Sequence, residues 1–167
     1  MRILIATMTA GGGHLAAASA LEEAWRALRP RDSIERLDLL KFFSPLHRKI
    51  HSDGYVKLVE RAPELWGMIF KKTDDPKVAR RLNKLQQLFP SRSRLRFARH
   101  VKHFKPDVVL CTHYAPLEVL GQMRARGVRL SSTAAREPVV GVAARSAALP
   151  FVVSVVTDFE AHALWMA

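Results

Sequence analysis

Short apolar runs alternate with amphipathic stretches along this chain. Four runs rich in Val, Ile and Leu are predicted as strands, at residues 2–7, 33–40, 105–113 and 151–156. The stretches between them carry apolar residues at helical spacing, as after the first run, where Leu15, Ala18, Leu21 and Trp25 recur. This alternation predicts an α/β fold, with a Rossmann-like parallel sheet and helices on both of its faces.

The long connection between the second and third predicted strands is helical. We predict a helix from Pro45 through Val59, another after Pro76 and a third capped by Ser91. In the third helix, apolar side chains are predicted to face inward and basic ones outward: Leu95, Phe97, Val101 and Phe104 against Arg92, Arg94, Arg96, Arg99 and Lys102. The stretch 128–150 has no clean period and is predicted as a flexible excursion.

A glycine-rich turn joins the first predicted strand to the first helix. Three residues without Cβ, Gly11, Gly12 and Gly13, permit positive φ and a close approach to a ligand. The following helix N-terminus favours an anion there, and the imidazole of His14 exchanges protons near neutral pH. The spacing matches neither the dinucleotide fingerprint nor the P-loop, so a plain capping turn is the alternative interpretation. Without those fingerprint glycines, ribose binding by Asp38 is not predicted.

Further polar residues follow the predicted strands at the same edge of the sheet. Thr112 and His113 end the third strand, and Asp158 and His162 come after the fourth. Ligands bind beyond this edge in open parallel sheets, so these residues predict a site together with His14. No two histidines have the close helical spacing of a metal motif, and we expect no metal.

Composition and charge narrow the class of protein. The 167 residues carry a net charge of +12, and twelve Lys or Arg but only two Asp lie between Lys71 and Lys105. A field this concentrated needs an acidic partner: anionic lipid, nucleic acid or a phosphorylated ligand. The single cysteine, Cys111, lies in an apolar run and is predicted as a buried, inert thiol. No apolar run is long enough to span a bilayer, so we expect a protein of the cytosol or of a membrane surface.

Apolar and basic side chains adjoin within this segment. Trp66 and Phe70 precede Lys71 and Lys72, and the 80–81 pair of arginines follows. This pattern is typical of an interfacial membrane segment, where each basic residue near an anionic leaflet contributes ~1 kcal/mol. A loop whose aromatic residues complete the core is the alternative.

Three local patterns together resemble one family. They are residues 9–14 followed by three alanines, residues 105–109 with Thr112 and His113, and residues 156–159 with His162 and Trp165. In this order and spacing they resemble the monogalactosyldiacylglycerol synthase and processive diacylglycerol β-glycosyltransferase family, relatives of the peptidoglycan glycosyltransferase that makes lipid II. The resemblance implies a GT-B fold of family-28-like glycosyltransferases, in which residues 1–167 form the N-terminal, acceptor- and membrane-binding domain.

The same resemblance implies a reaction and its partners. The enzyme is expected to be an inverting one that transfers a hexose from a UDP-sugar to diacylglycerol in glycolipid synthesis. A separate C-terminal domain is expected to hold the UDP-sugar, so this half binds no cofactor and is inactive alone. The other implied partner is an anionic membrane surface. The protein is expected to lie peripherally on the cytoplasmic side of the plasma membrane, and no nucleic acid is expected as a partner.

Site roles follow from the resemblance, position by position. His14 is the implied catalytic base. The implied acceptor and diphosphate site comprises Gly11, Gly12, Gly13, Thr112, His113, Asp158 and His162. The implied membrane contacts are Trp66, Phe70, Lys71, Lys72, Arg80 and Arg81. Two other functions stay open, a non-enzymatic basic module that binds nucleic acid and a GT-B enzyme that acts on a peptidoglycan lipid precursor.

Overall fold

A computed structural model of the protein describes residues 1–9, 12–88, 92–126, 150–157 and 163–166. Its strands are β1 (Arg2–Thr7), β2 (Ser33–Asp38), β3 (Val108–Cys111) and β4 (Phe151–Ser154). Its α-helices are α1 (Gly13–Leu28), α2 (Pro45–Arg61), α3 (Pro63–Thr73), α4 (Pro76–Leu88), α5 (Arg92–Phe104) and α6 (Tyr114–Ala125). Two short 3-10 helices span Leu39–Phe42 and Ala163–Met166. The stretch 128–150, predicted as a flexible excursion, lies outside the described residues except for residue 150.

The four strands form one parallel sheet in the order β2-β1-β3-β4. Ala6 pairs with Cys111, and Cys111 pairs with Ser154, so β1, β3 and β4 end in one row. The chain passes from β1 to β2 on one side and later returns to β3 on the other. The crevice between the ends of β1 and β3 is therefore the switch point at which open α/β sheets bind ligands.

Helices cover both faces of the sheet because β1 is apolar on both sides. Ile3 and Ile5 pack with Ala18 of α1 on one face. Leu4 and Ala6 belong to the larger cluster on the other face, which α5 and α6 cover. All four β1 side chains are fully buried. The predicted α/β class, with a Rossmann-like parallel sheet between helices, is confirmed.

The predicted environment of Cys111 is also confirmed. The thiol is free and fully buried in the larger cluster. Burial raises the pKa of the Cys111 thiol to about 12, because taking the charged thiolate out of water is unfavourable.

Strand β4 differs from the prediction of a strand buried on both faces. Phe151 is 65% exposed and Val152 is 36% exposed. Within the described sheet β4 occupies one end of the strand order and pairs with β3. An apolar run predicts a strand, but its position at the centre or the edge of a sheet decides its burial.

The connection from β2 to β3 consists of helices α2 to α5. Residues 64–72 belong to α3, and none of the eleven residues of α3, all of them described, is buried. The alternative in which this segment is a loop that completes the core is therefore wrong.

The predicted faces of α5 are correct in part. Phe97 and Val101 are buried, as predicted, but Leu95 is 48% exposed. Arg94, predicted to face outward, turns inward and makes a two-point ion pair with Glu118 of α6, at N to O distances of 2.9 and 3.1 Å. This ion pair ties α5 to α6 on the larger cluster's side of the sheet.

Candidate active site at the carboxyl edge of the sheet

His14 lies in the first turn of α1, half-buried at the carboxyl edge of the sheet. Its Nδ1 is 2.7 Å from the backbone oxygen of Thr112 and 2.5 Å from Oγ1 of Thr157. These residues follow β1, β3 and β4, so the switch-point crevice brings together distant parts of the chain. The ring is fixed from one side through Nδ1, and none of its hydrogen bonds within the described residues involves Nε2.

The turn before His14 leaves the start of α1 open. Gly12 is the N-cap, with φ −85° and ψ −28°, and provides no side-chain cap. A Cβ added at Gly12 or Gly13 would meet no atom within 4 Å. Neither glycine adopts a positive φ, so the conformational freedom that glycine allows is not used at these two positions. What they provide is space beside the first N–H groups of a helix, where an anion is favoured.

Asp38 holds the loop between β1 and α1. Its Oδ1 accepts hydrogen bonds from the backbone N–H groups of Thr9 (3.2 Å) and Leu40 (2.9 Å). Its Oδ2 accepts one from the Thr9 hydroxyl (2.5 Å). The carboxylate is thus committed to the loop and to the 3-10 helix that follows β2. Its role is to position the segment that leads to the glycines.

His113 caps α6 and lies against His14. Its Nδ1 accepts a hydrogen bond from the Ala115 backbone N–H (3.0 Å), and α6 begins directly after it, at Tyr114. The two histidine rings meet edge to face with centroids 4.6 Å apart. Burial, and then the charge of His14, lower the pKa of His113 from 6.5 to about 3. His113 is therefore neutral near pH 7 and exchanges no proton there.

Thr112 contributes its backbone rather than its side chain. Its carbonyl contacts His14, whereas its hydroxyl is fully buried and has no hydrogen-bond partner within the described part of the chain. Such orphaned hydroxyls are uncommon in folded proteins. Thr112 and His113 thus lie beside His14, as predicted, and both are buried.

The remaining predicted site residues fall outside the description. Gly11, Asp158 and His162 belong to the ranges that the structure does not describe. A contact of His14 that the sequence analysis did not select is Thr157, which comes directly after the fourth predicted strand. The available signal was a hydroxyl at the point where the last apolar run gives way to polar residues.

The predicted membrane contacts lie on α3 and α4, away from this edge in sequence. Leu65, Met68, Ile69 and Phe70 of α3 are 40 to 69% exposed, and the rings of Trp66 and Phe70 lie 6.1 Å apart. Lys71, Lys72, Arg80 and Arg81 are all exposed. We call these eight exposed residues, with Trp66, the α3–α4 surface. No helix in the described ranges is both long and apolar enough to cross a bilayer.

Metal ligands do not gather at the site. Nowhere among residues 1–9, 12–88, 92–126, 150–157 and 163–166 do three His, Cys, Asp or Glu side chains come together as a metal site would require. The described residues offer one imidazole, two hydrogen-bond partners behind it, on the buried Thr112 and the half-buried Thr157, and a helix N-terminus without a side-chain cap.

Fold and site together define a class: a Rossmann-like α/β domain with a histidine and a helix N-terminus at the switch point of its sheet. A family model described as monogalactosyldiacylglycerol (MGDG) synthase matches residues 14–134. The chain belongs to this family of glycolipid glycosyltransferases. Neither the curated proteins nor the solved structures contain a significant match. The matched range begins at His14 and includes the basic helices, whereas the predicted pattern at 156–165 lies beyond it.

Proposed function

We propose that this chain is the N-terminal, acceptor-binding domain of an inverting glycosyltransferase that moves a hexose from a UDP-sugar to diacylglycerol. Family membership supports a glycolipid product and a lipid acceptor. The observation that carries the proposal is the position of His14, held through Nδ1 at the switch point beside an open helix N-terminus. An imidazole held in this way presents Nε2 as a general base.

The reaction proceeds as one direct displacement. Nε2 of His14 takes the proton of the acceptor hydroxyl while the oxygen of that hydroxyl bonds to the anomeric carbon of the sugar. The bond from that carbon to the diphosphate oxygen breaks from the opposite face, which inverts the configuration. The negative charge grows on the departing UDP, where the N-terminus of α1 favours it. The UDP-sugar is bound by a C-terminal domain, which is the partner that this half requires.

The α3–α4 surface brings the domain to its lipid acceptor. Four exposed apolar side chains of α3 adjoin the exposed Lys71 and Lys72. Apolar side chains that enter the headgroup region and cations that face anionic lipid are the two components of interfacial binding. The domain therefore lies peripherally on the cytoplasmic side of the plasma membrane, and diacylglycerol reaches His14 without leaving that membrane.

The test compares full-length enzymes that carry His14→Ala and His103→Ala, with UDP-hexose and diacylglycerol in anionic vesicles. Loss of a general base lowers the transfer rate by about 10² to 10⁴, so we expect that loss for His14→Ala. His103 is an exposed histidine of α5 and serves as the matched control, with a rate within about twofold of wild type. Transfer by His14→Ala within tenfold of wild type would remove His14 from the base role.

Acceptor choice is tested in the same assay. A peptidoglycan lipid precursor offered in place of diacylglycerol should receive no sugar, and efficient transfer to it would replace the proposed acceptor. The nucleic-acid alternative uses only the basic helices and leaves the His14 site without a role. RNA that fails to displace the protein from anionic vesicles would count against it.

A further inference from the structure

We propose that Thr157 is a positioning residue for His14. Its hydroxyl and the Thr112 carbonyl share one ring N–H and hold the imidazole as the Nδ1–H tautomer, with Nε2 as the nitrogen that accepts a proton. The inference deepens the proposed function, since it rests on His14 as the base there. It also assigns a role to a residue that the sequence pattern did not select.

The hydrogen-bond chemistry leaves one arrangement. A backbone carbonyl oxygen only accepts, so the Thr112 oxygen at 2.7 Å requires a hydrogen on Nδ1 of His14. The Thr157 hydroxyl lies 2.5 Å from the same nitrogen. Because that nitrogen already carries the hydrogen, the hydroxyl oxygen accepts it as well, and its own hydrogen points elsewhere. Neutral imidazole has a single N–H, so Nε2 keeps its lone pair.

The same arrangement helps His14 after it has taken a proton. The ring is then an imidazolium, and the two oxygens at Nδ1 stabilise its positive charge. In Ser-His-Asp sites a carboxylate occupies this place. Here two uncharged oxygens occupy it, and the neighbouring His113 ring, 4.6 Å away, is neutral near pH 7 and adds no opposing charge.

Other threonines at this edge do not reach the ring. The Thr7 hydroxyl lies 3.4 Å from the backbone oxygen of His14, and the Thr9 hydroxyl donates to Asp38. The Thr112 hydroxyl is without a partner among the described residues. Among the threonines that the structure describes at this edge, it is the Thr157 hydroxyl that contacts the imidazole, whereas those of Thr7, Thr9 and Thr112 do not.

The test reads the tautomer of His14 directly, by long-range 1H–15N NMR of the 167-residue chain labelled at histidine nitrogens, at a pH where its ring is neutral. Wild type and Thr157→Ser should show His14 mainly as the Nδ1–H form. Thr157→Val removes one hydrogen bond and should lower the ratio of Nδ1–H to Nε2–H by about 2- to 10-fold. Thr73→Val, the loss of a hydroxyl on α3 that bonds to the backbone oxygens of Ile69 and Phe70, should leave the ratio unchanged.

Two results would overturn the inference. One is an unchanged tautomer ratio in Thr157→Val, with a backbone amide spectrum that shows an intact fold. The other is a wild-type ring that is mainly Nε2–H. Because this readout needs neither sugar nor lipid, it is independent of the transfer assay with His14→Ala. The two measurements therefore distinguish failure of His14 as the base from failure of Thr157 as the residue that positions its ring.

A kinetic measurement completes the test in the full-length enzyme. We expect Thr157→Val to lower kcat by about 2- to 10-fold at an unchanged KM, because one hydrogen bond to the base is lost. Thr157→Ser should restore most of the rate. A change confined to KM would instead make Thr157 a substrate contact and would overturn the positioning role.

Discussion

The carboxyl edge of the sheet and the connecting helices α2 to α5 differ in burial and in the groups that they expose. At the edge, His113 and Thr112 are buried, and His14 is held by two hydrogen bonds. On α3 no residue is buried, although the helix carries five large apolar side chains, four of which are exposed. The net positive charge is concentrated in the same connection.

This difference separates two tasks within one domain. A reacting group needs fixed neighbours, which the ends of parallel strands supply. A surface that meets lipid needs apolar and cationic groups in water, which the exposed helix α3 supplies without disturbing the sheet. Changes at the edge should therefore affect stability and chemistry, whereas changes on the α3–α4 surface should affect attachment alone.

Arg94 breaks this division and gives the largest expected effect. It belongs to the basic connection in sequence, but its side chain is only 17% exposed and pairs with Glu118, which is 4% exposed. Arg94→Met leaves that carboxylate buried, with the Gln122 amide as its remaining hydrogen-bond partner among the described residues. We expect a loss of about 3 to 5 kcal/mol in the free energy of unfolding, measured by urea denaturation.

Two variants sharpen the Arg94 prediction. Arg96→Met changes an exposed neighbour on the same helix and should cost less than about 0.5 kcal/mol. Arg94→Met/Glu118→Leu removes both charges and should recover most of the lost stability. Burial already raises the pKa of Glu118 against the opposing effect of Arg94, so the single variant should regain stability as the pH falls and Glu118 becomes neutral. A loss independent of pH would contradict this account.

The α3–α4 surface should respond in attachment and not in stability. Lys71→Gln/Lys72→Gln removes two cations, at about 1 kcal/mol each near an anionic leaflet. We expect binding to anionic vesicles, measured by sedimentation, to weaken by about 30-fold at an unchanged free energy of unfolding. Arg31→Gln/Arg124→Gln removes the same charge from exposed positions at the opposite, amino edge of the sheet. An equal loss for both pairs would mean that net charge alone determines binding.

His113 should make the edge sensitive to acid. Its pKa is about 3 in the folded protein, against 6.5 ordinarily, so the unfolded chain binds a proton that the folded chain refuses. Stability therefore falls as the pH drops below about 6.5, by about 2 kcal/mol at pH 5. In His113→Asn the side-chain oxygen can cap α6 in place of Nδ1. This variant should therefore lose less stability between pH 8 and pH 5, as measured by thermal denaturation. An unchanged fall would contradict the buried, neutral state, and His103→Asn is the exposed control.

The strands were predictable because burial on both faces forces continuous apolar runs, as in β1. The burial of β4 was not predictable, because an apolar pair such as Phe151 and Val152 gives the same sequence pattern in a central strand and in an edge strand. The prediction of which side chains of α5 face inward was wrong at Arg94 and Leu95 for a related reason. Helical periodicity places residues around an axis, but only the tertiary position of Glu118 decides which arginine is drawn inward.

The candidate site was predictable in its location and less so in its contacts. Strand ends in a parallel sheet meet at one edge, which is why His14, Thr112 and His113 lie together. One hydrogen bond of the His14 ring is made with a backbone carbonyl, which every residue possesses, and so no residue type predicts it. The second is made with Thr157, which differs in sequence from other strand-end threonines only by its neighbours.

The smallest expected effect tests whether the loop before His14 is part of the edge's rigid frame. Asp38→Asn keeps Oδ1, which accepts from the backbone N–H groups of Thr9 and Leu40, but replaces Oδ2 by an amide nitrogen that cannot accept from the Thr9 hydroxyl, at a cost of about 1 kcal/mol. Asp107→Asn is the matched change at the amino edge, where the carboxylate accepts from the Arg2 N–H, and should cost about as much. If the frame is local, only Asp38→Asn moves the ring resonances of His14 in NMR spectra. Equal shifts in both variants would mean that His14 responds to overall stability and not to the loop that precedes it.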